Sequence, residues 1–151
     1  MEVSTVSESA LRLGVRSAAS VLLIASGVHA SVHYRAFVDT ASFDGPRREL
    51  MAAMRAYAIL PRWGVDAWTM LCGYSLCFAI LLMLCGTLLW WMGRHLAASR
   101  LRPLAAATAL VLLAGIALIA SLDPMPVQMS VLALAALCLG GGVLRGRVAT
   151  A

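Results

Sequence analysis

Four stretches of this 151-residue chain, at about 13–34, 67–92, 104–122 and 127–144, are apolar for long enough to cross a bilayer. A hydrocarbon core about 30 Å thick requires roughly 20 apolar residues of helix. Three of the runs contain no charge, and the first carries only Arg16, near its start. Lipid offers the backbone no hydrogen-bonding partner, so each run must satisfy its own amides as a helix. The expected fold is therefore all-α: a polytopic membrane protein whose four transmembrane helices form one antiparallel bundle. With 62 % hydrophobic residues, the spans use most of the chain and leave no room for a soluble catalytic domain.

The start of the first span needs a separate argument, because Val28-His29-Ala30 has the small-residue spacing of a secretory cleavage site. The apolar run continues to Tyr34, however, and His29 and His33 lie on either side of the bond that would be cut. A retained first helix is the expectation.

The net charge of +5 comes from twelve arginines and no lysine. In a chain of this kind the excess anchors helix flanks and sets orientation, and no nucleic-acid partner is expected. Arg12, Arg16, Arg94, Arg100, Arg102, Arg145 and Arg147 fall on one side of an even-numbered crossing. Arg35, Arg47, Arg48, Arg55 and Arg62 fall on the other. The bias favours both termini in the cytoplasm. Trp68 and Trp90 bracket the second span about 33 Å apart, at about 1.5 Å of rise per residue. With Trp63 and Trp91 they read as interfacial anchors.

Between the first two spans, Asp44-Gly45-Pro46 followed by Glu49 has the form of a helix start. Leu50, Met54 and Tyr57 share one face, while Arg48, Arg55 and Arg62 recur every seven residues on another. This pattern predicts a short amphipathic helix over about 46–60 on the membrane surface, ending at Pro61. Asp123-Pro124-Met125-Pro126 predicts a tight turn that makes a hairpin of spans three and four. Both spans are rich in Ala and Gly, including Gly140-Gly141-Gly142, and small residues allow helix backbones to approach closely. The same faces suit packing within the chain, a second copy or another membrane protein.

Cys72, Cys77, Cys85 and Cys138 all lie within predicted spans and form no C-x-x-C, so no thiol redox centre is expected. One constellation can carry chemistry. His29 and His33 stand one helical turn apart, with Ser26 a turn earlier, and the predicted crossing brings Asp66 and Asp123 to the same membrane face. Two imidazoles with carboxylates nearby suit a divalent metal such as zinc, or proton transfer. The competing reading has His29 hydrogen-bonded to a neighbour and His33 marking the interface. No catalytic motif is present: the chain has no H-E-x-x-H, no serine elbow, no phosphate loop and no acid in the middle of a span.

In order along the chain come His29-x-x-x-His33, Leu50-Met51, a Trp68-x-x-x-x-Gly73-Tyr74 entry to the second span, Leu89-Trp90 and Arg102-Pro103. Over about residues 13–140 this order resembles a family of small bacterial four-helix integral membrane proteins. The resemblance implies the fold and a bacterial inner-membrane location, and it implies no particular activity. That family commonly has Asp directly after the tryptophan, where this chain has Thr69; Asp66, one turn earlier, is the nearest acid. Two functions follow as expectations. The first is a non-catalytic assembly or interaction protein without a cofactor, and the second is a metal- or proton-handling protein using His29 and His33.

Overall fold

A computed structural model describes the backbone of residues 2–122 and 126–148, and the side chains of 7–121 and 126–145. Five α-helices account for most of it: α1 (Glu2–His33), α2 (Gly45–Ala56), α3 (Ala67–His95), α4 (Ala98–Leu122) and α5 (Pro126–Val148). Four stretches are helical, long and apolar enough to cross a membrane: Ser7–Val38, Ala67–His95, Ala98–Ser121 and Pro126–Arg145. Leu110, Val111 and Leu137 are each about two-thirds exposed or more, as expected for helices whose surroundings are lipid rather than water.

Several boundaries differ from the sequence pattern. α4 begins at Ala98, so Pro103 lies inside the helix rather than at its start. Ala97 O opens the helix by accepting from the amides of Arg100 and Leu101 at 3.0 and 2.9 Å. Pro103 lacks an N–H, so it leaves the bond to Ser99 O unmade. α2 stops at Ala56, short of the expected end near residue 60. Beyond it, Ala58–Leu60 (β1) pairs antiparallel with Val65–Asp66 (β2), around a 3₁₀ turn at Pro61–Trp63. Gly64 closes that turn at φ 65°, a left-handed conformation that suits glycine. The tight turn expected between α4 and α5 involves residues 123–125, which lie outside the described residues.

The chain divides into two units. The first comprises Met1–Ala25 with Met83–Ala151. At its centre lies the first half of α1, whose Leu11, Val15, Ala18 and Ala19 are fully buried. Gly14 and Gly142 meet backbone to backbone: a Cβ on Gly14 would stand 2.5 Å from Cys138 O and 2.8 Å from Gly142 Cα. The predicted small-residue run thus has an intrachain partner at Gly142, whereas Gly140 and Gly141 have nothing within 4 Å of an added Cβ. α3 also packs on α1, with Gly86 against Leu23 and Gly93 against Val15.

Arg12 secures the same region. Its guanidinium donates to Gly93 O at 2.8 Å and to Leu96 O at 3.0 Å, and it pairs with Glu8 at 2.7 Å. The last carbonyls of a helix have no partner within it and carry partial negative charge, so a cation placed there satisfies both needs.

The second unit, Ser26–Leu82, holds the end of α1, α2, the β ribbon and the start of α3. α1 passes directly into a π turn at Tyr34–Val38, closed by Asp39 N–H donating to Tyr34 O at 2.9 Å. Asp44 caps α2, its Oδ1 accepting from Arg47 N–H at 3.0 Å.

Candidate functional site

His29, His33 and Asp66 all belong to the second unit; Asp123 lies outside the described residues. Their surroundings follow from the pairing of α1 with α3. Ser26 Oγ donates to Ala79 O at 2.8 Å in a buried contact. One turn further along α1, His29 Nε2 stands 3.1 Å from both the carbonyl oxygen and the hydroxyl of Ser75. Residue 26 meets 79 and residue 29 meets 75, so the two helical stretches run in opposite directions, with a polar rung at each turn. Phe78 closes over the imidazole edge-on, with ring centroids 5.0 Å apart.

Ser75 gives Nε2 two partners of different kinds: a carbonyl that can only accept and a hydroxyl that can donate or accept, so this nitrogen is engaged by Ser75 in either tautomer.

His33 is used differently. It is about nine-tenths buried, its Nδ1 has no hydrogen-bond partner among the described residues, and its ring lies 5.2 Å from Phe37. The contacts continue from Phe37 to Trp68 at 5.3 Å and from Trp68 to Phe43 at 6.0 Å, both edge-on. They end with the Arg47 guanidinium 4.3 Å above Phe43. Arg47 also donates to Ala36 O at 3.1 Å, joining α2 to the π turn. Edge-on aromatic pairs and a cation over a ring face are favourable geometries. Trp68 is buried in this cluster, so it does not face lipid as an interfacial anchor. Trp63, Trp90 and Trp91 do remain exposed.

Asp66 is engaged elsewhere again. Its Oδ1 accepts from Thr69 N–H at 2.7 Å, which caps the start of α3. The same bond holds the carboxyl below the ordinary carboxylate range, against the opposing effect of partial burial. The two histidines and the aspartate therefore make three separate sets of contacts. Among the described residues, no three or more His, Cys, Asp or Glu side chains come together to hold a metal ion. The four cysteines are free thiols. An open cleft of about 560 Å³ lies beside the π turn, lined by Ala30, Ser31, Tyr34, Arg35 and Asp39, and it includes none of the three residues.

Sequence reasoning did not find the aromatic series from His33 to Arg47. The spacing of His33 and Phe37 was visible, but Phe43 and Trp68 arrive from other elements, and no periodicity links them. No protein-family model, no curated protein and no solved structure matches this chain.

Proposed function

We propose that this chain is a non-catalytic membrane protein that acts through assembly, with a second copy or another membrane protein as its partner. In this reading the four spans form an antiparallel bundle, α2 lies on the membrane surface, and both termini face the cytoplasm of a bacterial inner membrane. The observation that carries it is the separate use of the titratable groups. His29 bridges to Ser75, His33 packs on Phe37, and Asp66 caps α3. Each described residue of the candidate site thus has a structural task that accounts for its position. Large apolar side chains such as Ile24, Leu110 and Leu137 remain exposed, and these faces suit lipid and helix partners alike.

Metal analysis of protein purified in mild detergent without chelator tests this proposal, using the wild type and the His29→Ala/His33→Ala double variant. The expected result is no stoichiometric metal in either protein and the same oligomeric state by light scattering. A stoichiometric ion that disappears in the double variant would transfer the role to metal handling. Reporter fusions at each end check the proposed orientation.

A further inference from the structure

Beyond assembly, the first unit carries a largely apolar cleft bordered by arginines. It is about 320 Å³ in volume and runs between α1 and α5, with Leu13, Gly14 and Ser17 on one side and Leu137, Gly141 and Arg145 on the other. A second cleft of about 530 Å³ shares Leu13 and is lined by Arg12 and Arg16.

The contacts of this unit set the level of each end. Arg12 binds Gly93 O and Leu96 O, so it sits at the C-terminal end of α3, just past Trp90 and Trp91. An added Cβ on Gly142 would touch the carbonyls of Ala10 and Leu11, which places Gly142 near the same level and Arg145 almost a turn beyond. From there the cleft descends toward Ser17 and Leu137, about 10 Å along α1 at 1.5 Å per residue. Arg145 marks its outer end; further in, Leu13 and Leu137 stand largely exposed, and Arg16 of the adjoining cleft lies level with Ser17.

We infer that these two adjoining clefts together bind an anionic phospholipid, with the phosphate over their shared Leu13, between Arg16 on the inner side and Arg145 on the outer, and an acyl chain running inward past Gly141 along Leu137. The inference rests on the reading of the chain as membrane-spanning. Charge complementarity selects the occupant. Six arginines of this unit have described side chains (12, 16, 94, 100, 102 and 145), against Glu8 as its one described acid. Glu8 is already paired with Arg12. Neither Arg16 nor Arg145 makes a hydrogen bond or ion pair with a described residue. Basic pockets between spanning helices suit anionic headgroups. A free anion would gain nothing from the apolar lining of the cleft, and a zwitterionic lipid brings its own cation to the arginines. Gly141 makes the floor: an added Cβ there has open space around it, so a larger side chain would occupy the lipid's place without disturbing the helices.

The test uses the full chain in mild detergent, titrated with phosphatidylglycerol, phosphatidylcholine or inorganic phosphate, with lipid retention read by native mass spectrometry and stability by thermal unfolding. Phosphatidylglycerol is expected to be retained at one per protein and to raise the unfolding midpoint. Phosphatidylcholine and inorganic phosphate should do neither. Arg16→Ala/Arg145→Ala should weaken phosphatidylglycerol binding by about ten- to thirty-fold. Gly141→Leu should abolish retention with every charge still in place, while its lipid-free midpoint stays that of the wild type. Equal retention of the two lipids, an equal response to inorganic phosphate, or unchanged binding in the double arginine variant would overturn the inference. If Gly141→Leu proves unstable, the arginine variant decides alone. Resistance of the wild type to carbonate extraction separately reports whether the chain is integral to the membrane, so the two readings fail independently.

Discussion

Replacing Gly14 with Ala isolates the cost of separating α1 from α5. The new Cβ would stand 2.5 Å from Cys138 O and 2.8 Å from Gly142 Cα, whereas ordinary contact begins at 3.4 Å. Both obstructing atoms are backbone, so no rotamer change relieves them, and the helices must part by about 0.9 Å at this crossing. A gap of 0.5–1 Å forfeits about a quarter to a half of each dispersion contact it opens, and overpacking of this kind costs about 1–3 kcal/mol. Ala in place of Gly also favours the helix by about 1 kcal/mol, which would mask part of the loss. Gly141→Ala supplies the control. It lies within the last two turns of α5, carries the same propensity gain, and places its Cβ in open space. The two variants should therefore differ by about 1–3 kcal/mol, with Gly141→Ala at or above the wild type and Gly14→Ala below its control. Unfolding in mixed micelles with increasing dodecyl sulfate, followed by tryptophan fluorescence and helical circular dichroism, measures both. Equal displacement of the two curves would refute the close approach.

Arg12→Ala removes two charge-assisted bonds to the end of α3. Its partial exposure discounts the usual value, so about 1–2 kcal/mol should be lost, with faster amide exchange around residues 93–96; Arg12→Lys should recover only part, because an ammonium lacks the forked geometry. The lowered pKa of Asp66 means its capping contribution is complete above the ordinary carboxylate range and is lost as pH falls through the lowered value. Asp66→Asn should flatten that acid slope in a pH series of unfolding midpoints while still capping α3, and an unchanged slope would assign the titration elsewhere. Because His33 Nδ1 is buried without a partner among the described residues, His33→Phe should leave the midpoint unchanged or raise it, since an unsatisfied buried polar atom costs about 1–3 kcal/mol; a marked loss would reveal a partner for that nitrogen. Ser26→Ala removes the buried rung to Ala79 and should cost about 0.6 kcal/mol, the average for such bonds in membranes, measured by the same micelle titration.

The spans were legible because lipid imposes a length and a composition that need no knowledge of neighbours. The caps were nearly as clear: Asp44 and Asp66 declare themselves by position, since the bond each makes is to an amide three residues away. What escaped the sequence depends on partners far along the chain. Arg12 reads as one more flanking charge until Gly93 and Leu96 are seen beneath it, more than 80 residues later. Gly14 is a lone glycine among larger residues, and only Gly142 gives it a purpose. α2 was placed correctly at its start, where Asp44 and Pro46 act locally. It was overrun at its end, because the β ribbon that takes over after Ala56 depends on the turn that Gly64 closes and on no hydrophobic period. The proposed histidine pair shows the same limit. One-turn spacing puts His29 and His33 on a shared face, but Ser75 and Phe37 claim them for different tasks.

The meeting of Gly14 with Gly142 also has a meaning in time. α1 leaves the ribosome first of the five helices and α5 last, so the groove waiting for Gly142 stays open while some hundred and more residues are added. Until then the bare strip of α1 faces whatever lies beside it in the bilayer. The last helix to arrive therefore works as a latch on the first, and the unit is locked only when synthesis has passed Gly142.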